Sequence, residues 1–109
     1  MSYDVSLHMA TGGGHTVEAW WGNCTSNCSS MWRLASPDTD GLAGLDGMLA
    51  AQVAPIVDRM IDTMRADPAP YRAKDPENGW GDYDSQLRWL TEIRDECAKH
   101  PLCVVSVHR

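Results

Sequence analysis

The sequence predicts one α+β domain with two layers, in which a three-stranded sheet, mixed or antiparallel, packs on one short and two longer helices. Three observations support this prediction. The 109 residues are enough for one domain that buries roughly 65% of its unfolded surface. Apolar residues alternate with polar ones near both ends of the chain, which is typical of strands. Between them the apolar residues recur with a helical period, so helices cover one face of the sheet.

Two strands open the chain. Residues 2–9 alternate strictly, with Tyr3, Val5 and Leu7 on one side. Glycines at 12–14 supply a turn with positive φ, and residues 15–21 form the second strand. Strict alternation there predicts that Val17, Ala19 and Trp21 share one face and that Thr16, Glu18 and Trp20 share the other.

A short helix is predicted over residues 28–35, because its apolar residues fall at i, i+3, i+4 and i+7. The segment before it, GNCTSNC, is rich in amide and hydroxyl side chains. Helix capping is the favoured interpretation, since such residues accept hydrogen bonds from the first amides of a helix. The alternative is a ligand loop, since a helix N-terminus also attracts anions. The predicted capping residues are Asn23, Thr25 and Asn27.

Two longer helices are predicted over residues 50–66 and 83–99, and a closing strand over 102–108. The first has one apolar stripe through Val53, Val57 and Met60, and it tolerates Pro55 if this residue lies in the first turn. In the second the stripe includes Tyr83, Leu87, Leu90, either Ile93 or Arg94, and Cys97, and Asp82 is the predicted N-cap. Residues 36–47 are predicted as a loop because of their Pro, Asp and Gly. The order of the strands stays open.

Charge excludes some classes of function. The net charge of −6 carries no run of like charges, and it disfavours binding to nucleic acid or to an anionic membrane. We find neither a basic n-region before an apolar core nor an apolar stretch long enough to span a bilayer. We therefore predict an acidic, cytosolic protein that binds neither nucleic acid nor membrane.

The four cysteines are Cys24, Cys28, Cys97 and Cys103. A reducing compartment predicts free thiols, and small buried apolar side chains are their simplest role. Spacings of three and five intervening residues disfavour a zinc site. Cys24 at a helix start is a nucleophile that the helix amides would activate, but it has no histidine near it in sequence. We predict no metal and no cofactor, and we favour a protein that is not an enzyme.

Several segments together resemble a family of small uncharacterised bacteriophage proteins. They are YDVSL, NCTSNCSSMWR, PENGWGDYDSQLRWL, the spacing from Cys97 to Pro101, and VVSVHR. Members of that family read N-x-T-x-N-x-x-x-M and N-P-x-N-G-W-G-x-Y. The resemblance covers most of the chain, and it implies a phage origin and expression in the cytosol of a bacterial host. It implies no activity.

Two hypotheses of function follow. The first is a non-enzymatic accessory protein that binds and modulates a host protein through a Trp-rich, acidic surface. The second is a small-molecule binder, nucleotide-like in its ligand, or a minor enzyme with a polar and aromatic pocket. A homodimer is a further option, through an unpaired edge strand or an exposed Trp. The predicted pocket residues are Asn23, Thr25, Asn27, Trp32, Asn78, Trp80 and Tyr83.

Overall fold

The computed structural model of the chain describes residues 2–25, 28–75 and 82–109. Its three strands are β1 (Ser2–Gly12), β2 (His15–Thr25) and β3 (Val104–His108), and they form one antiparallel sheet in the order β2-β1-β3. The first strand of the chain is therefore the central one. This arrangement confirms the predicted α+β class and settles the sheet as antiparallel.

The hairpin of β1 and β2 is longer than the alternation alone predicts. Gly13 and Gly14 form its turn with φ of +60° and +80°, a conformation that other residues adopt only at a cost. Pairing continues as far as Ser2 opposite Thr25. The polar residues after Trp21 thus stay in the strand, because the backbone ladder that holds them does not depend on their side chains.

A β-bulge interrupts the alternation of β2. Leu7 pairs with Trp20, but the next residue of β1, His8, pairs with Glu18, so Ala19 is an extra residue in β2. The predicted faces of β2 are consequently wrong before the bulge: Glu18 shares its face with Trp21. The prediction that the two adjacent tryptophans point oppositely is confirmed. Trp20 packs against the core, whereas Trp21 is 56% exposed.

The described residues form four α-helices. The two long ones have the predicted bounds, and Asp82 caps the last helix by accepting a hydrogen bond from the amide of Ser85 at 2.8 Å. Pro55 is the sixth residue of its helix and so lies beyond the first turn, where the helix loses one backbone hydrogen bond. The helices are α1 (Ser29–Ala35), α2 (Ala50–Ala66), α3 (Ala69–Arg72) and α4 (Tyr83–Lys99).

Two segments between the longer elements contain short helical turns, and the first of them was predicted as a loop. The loop after α1 includes 3-10 turns at Pro37–Thr39 and Ala43–Leu45, and α3 lies in the linker after α2. Leu45 and Tyr71 in these turns are buried. The turns therefore add apolar side chains to the core, which a pattern of Gly, Pro and Asp does not indicate.

The core lies between the sheet and the pair α2 and α4, which pack against each other. The inward side chains of β1 meet the stripes of both helices, as predicted. Residues 9–19 are exposed, so the tip of the hairpin extends past the helical layer. None of the described helices is long and apolar enough to cross a membrane. Fully buried members of the core include Leu7, Trp32, Val53, Met60, Ile61, Leu90 and Ile93.

Candidate functional site

A buried glutamine joins the sheet, α1 and α4. Gln86 is 1% exposed, and its Oε1 accepts a hydrogen bond from the indole Nε1 of Trp32 at 2.8 Å. The Trp32 ring is itself held edge-on against Tyr3, with 4.9 Å between the ring centroids. Because a buried amide or indole without a partner costs about 1–3 kcal/mol, this bond fixes which way the amide of Gln86 points.

The other end of that amide faces a thiol. Cys24 pairs with Tyr3 across the hairpin and so lies on the helix-facing side of β2, where it is partly buried. Gln86 Nε2 donates to Cys24 Sγ at 3.3 Å. The Cys24 thiol in turn donates to Gln86 Oε1 at 3.7 Å, an oxygen whose second lone pair accepts the indole hydrogen of Trp32. Both ends of the Gln86 amide are therefore hydrogen-bonded to the sulfur.

A second thiol contacts the first. Cys28 occupies the N-cap position of α1, is fully buried, and hydrogen-bonds to Cys24 through its side chain. This bond, together with those from Gln86 and the backbone of Thr25, lowers the pKa of Cys24 to about 7 against the opposing effect of burial. The pKa of Cys28 is raised far above its usual range by the same bond, and further by burial and by the negative charge of Cys24. We call Cys24, Cys28, Gln86 and Trp32 the thiol cluster.

Gly22 makes room beside the thiol cluster. A Cβ atom at this position would lie 2.6 Å from Trp89 and 2.7 Å from Trp20, so only glycine admits both indoles. The two rings lie with their centroids 6.0 Å apart. Trp89 Nε1 is buried and has no acceptor among the residues that the structure describes. The result is an aromatic wall along the core side of β2, two residues before Cys24.

Asn23 and Thr25 belong to β2 and not to a helix cap. Asn23 is exposed on the face opposite Cys24, where its amide donates to the carboxylate of Asp4. Thr25 ends the strand and, by alternation, continues the face of Asn23. The prediction that Asn23 and Thr25 cap α1 is wrong, because Cys28 is the N-cap of this helix.

Trp32 and Tyr83 lie on the other side of the sheet, in the core. They are 1% and 4% exposed. The hydroxyl of Tyr83 donates to the backbone oxygen of Met64 at 2.9 Å, and its ring lies 4.5 Å below the guanidinium of Arg72. The structure thus brings Trp32 and Tyr83 to the first turn of α4 and separates them from Asn23 and Thr25 by the sheet. The remaining predicted pocket residues lie outside the described residues: Asn27, Asn78 and Trp80.

Sequence reasoning missed the role of Gln86, although a signal for it exists. Gln86, Leu90, Ile93 and Cys97 are spaced at i, i+4, i+7 and i+11, so the glutamine occupies a core position of the α4 stripe. A polar side chain at such a position needs buried partners, which predicts a hydrogen-bond network. Its partners are 54 and 62 residues away in the chain, and no local pattern identifies them.

The open face of the sheet is the second feature with functional potential. We define it by Trp21, which is opposite Ser6 of β1, and by the neighbouring Ser106 of β3. Ser6 hydrogen-bonds to the imidazole of His8 at 2.8 Å. Next to them, Val104 is 42% exposed. A shallow depression on this face is lined by His8, Ala10, Thr16, Val104 and Ser106.

Within residues 2–25, 28–75 and 82–109, no group of three or more His, Cys, Asp or Glu side chains is arranged to hold a metal ion. All four cysteines lie within these described residues, and none of them is in a disulfide bond. Comparison of the chain with protein-family models, with curated proteins and with solved structures found no match.

Proposed function

We propose that the chain is a non-enzymatic accessory protein that binds and modulates a host protein in the cytosol of a bacterial host, with the open face of the sheet as its binding surface. The observation that carries this proposal is Trp21, an indole that is 56% exposed on the open face of β2. A large side chain left in water at such a position is unfavourable unless another surface covers it.

Trp21 has the properties of an interface anchor. Tryptophan is among the residues most enriched in binding hot spots, where truncation costs about 2 kcal/mol or more. The shallow depression beside His8 and Val104 can accept a side chain of the partner. β2 is also an edge strand, so its outer backbone groups are available to a partner strand.

Charge favours a partner with a basic and apolar surface. Asp4 and Glu18 lie on the same face as Trp21, and the whole chain carries a net charge of −6. Two copies of the chain would bring like charges together, which disfavours a homodimer through this face relative to a basic partner. The resemblance to small phage proteins supports a host protein as that partner.

The alternative, a small-molecule site, receives less support. The polar side-chain atoms of Trp32 and Tyr83 already bind Gln86 and Met64. A ligand at these residues would have to break buried hydrogen bonds, whereas a protein on the open face would not.

Capture from bacterial lysate with a matched pair of variants tests the proposal. We expect immobilised wild-type protein to retain a host protein, and Trp21→Ser to weaken this binding by roughly 30-fold, which corresponds to about 2 kcal/mol. Leu34→Ser is the control, because Leu34 is 44% exposed on α1, in the helical layer. Mass spectrometry identifies the retained protein, and titration with the purified partner gives the affinities.

Two results would contradict the proposal. One is equal retention by the wild type and by Trp21→Ser. The other is a stable dimer in sedimentation experiments that Trp21→Ser dissociates, since the face would then serve a second copy of the chain.

A further inference from the structure

Two sulfur atoms in contact form a site that the proposed function does not use. Cys24 is partly exposed in β2, and Cys28 lies behind it, fully buried at the start of α1. We propose that the two residues form a thiol–disulfide exchange site, in which Cys24 attacks a low-molecular-weight aliphatic disulfide and Cys28 completes the exchange. This inference is independent of the partner of the open face.

The two thiols have different roles in the exchange because they differ in exposure to solvent. A reagent from solvent meets Cys24 first, because Cys28 is 0% exposed. The hydrogen bond between the side chains keeps the second sulfur within reach of the first. A disulfide needs an S–S distance of about 2.05 Å, so the two side chains must move closer than their hydrogen bond holds them for the exchange to be completed.

Gln86 acts as a positioning residue for this site. Its Oε1 is held by the buried Trp32 Nε1 at 2.8 Å, so its amino group is directed at Cys24 Sγ at 3.3 Å. A donor aimed at the sulfur stabilises the thiolate, which is the reactive form. The pKa of Cys24 is lowered to about 7 by the hydrogen bond from Cys28 first, and the bond from Gln86 adds to this effect.

The exchange proceeds in two balanced steps. The thiolate of Cys24 attacks one sulfur of the disulfide RSSR, forming a mixed disulfide Cys24–S–S–R and releasing RS⁻, which takes a proton from solvent. Cys28 then gives its proton to solvent and attacks the Cys24 sulfur, so that the Cys24–Cys28 disulfide forms and the second RS⁻ leaves and is protonated. Overall the two cysteines lose two electrons and two protons, and one RSSR becomes two RSH.

Oxidised glutathione is the probe that tests the site. The folded protein is incubated with it near pH 7.5, remaining thiols are blocked in acid, and tryptic peptides are weighed. Cys24 and Cys28 share the peptide of residues 1–33, whereas Cys97 and Cys103 lie in two other peptides, 95–99 and 100–109. We expect the first peptide to become lighter by two hydrogens. We expect the other two peptides to remain fully blocked by the alkylating reagent.

Variants separate the two steps. Cys28→Ser is expected to accumulate the glutathione adduct on Cys24, and Cys24→Ser is expected to give neither adduct nor disulfide. Gln86→Glu keeps an acceptor for Trp32 but places a negative charge beside the sulfur, so we expect the rate–pH profile of Cys24 to move up by about one unit and the rate at pH 6.5 to fall about tenfold.

The wild-type experiment tests the proposal even if a variant fails to fold. An unmodified 1–33 peptide after exposure to glutathione disulfide would overturn it. So would glutathionylation that Cys28→Ser leaves at the wild-type level, because Cys28 would then take no part. An unchanged rate–pH profile in Gln86→Glu would overturn the role of Gln86.

Discussion

The chain contains two pairs of neighbouring cysteines, which differ in the side-chain hydrogen bonds of their thiols. Cys24 has two side-chain hydrogen bonds, from Cys28 and Gln86, and its pKa is lowered to about 7. Cys97 and Cys103 are both 0% exposed. Burial first, and then the negative charges of Cys103 and Glu96, raise the pKa of Cys97 to about 11. A neighbouring thiol is thus present in both pairs, but only in the first pair do hydrogen bonds from that thiol and from a buried amide lower the pKa.

This comparison indicates what activates a thiol in a small domain. Burial alone favours the neutral form of the sulfur and makes it a small apolar core residue. Hydrogen bonds to the sulfur reverse the effect. In this chain the bond from Cys28 lowers the pKa of Cys24 most, and the amide of Gln86, held by the indole of Trp32, lowers it further.

The largest expected difference is in alkylation. At pH 7 about half of Cys24 is thiolate, against roughly one part in ten thousand of Cys97. Because nucleophilicity falls as the pKa falls, the net advantage of Cys24 is about 100-fold before the burial of Cys97 is counted. We expect iodoacetamide to modify Cys24 in the native protein at least that much faster, as measured by peptide mass spectrometry. Similar alkylation rates of Cys24 and Cys97 in the native protein would contradict the difference between the two pairs.

Removing the acceptor of Trp32 is the second test. Gln86→Leu leaves the buried indole without a partner, and we expect the free energy of unfolding to fall by about 1–3 kcal/mol. Introducing the same change into Trp32→Phe is the control, since without the indole hydrogen there is no donor to leave unpaired. Urea denaturation gives the free energies of unfolding. A Gln86→Leu variant as stable as the wild type would show that the indole does not need this amide.

The smallest effect is on stability in alkali. The pKa of Cys97 is about 11 in the folded chain and 9 as the reference value, so the folded state binds the proton more tightly. The contribution to stability is fully present below pH 9 and is lost as the pH rises through 11. We expect the wild type to lose about 1 kcal/mol more than Cys97→Ala between pH 8 and pH 10, from denaturation at each pH. Parallel curves for the two proteins would refute the assignment.

Local patterns predicted the helices well and the sheet only in part. α2 and α4 begin and end at the predicted residues because a periodic stripe and its caps lie within each segment. The bulge at Ala19 depends on which residue of β1 faces which residue of β2, and the sequence of β2 alone does not contain that information. The central position of β1 is likewise a property of pairing.

The candidate site was less predictable for the same reason. Asn23 was assigned to a pocket with Trp32 from its residue type, but in a strand its side chain points away from that of Cys24, which joins the thiol cluster instead. Two adjacent residues thus face opposite layers of the domain. The hydrogen bond that orients the thiol cluster joins Trp32 and Gln86. These residues are far apart in the sequence, and the packing of the helices brings them together.

The tip of the hairpin is a suitable site for inserting a label. Its glycine turn projects beyond the helical layer, and residues 9–19 around it are exposed. Exposed loop tips tolerate added sequence, and the entropic cost of a longer loop grows only with the logarithm of its length. An epitope or a fluorescent label grafted between Gly13 and Gly14 would therefore report on the domain while leaving its interior packing intact.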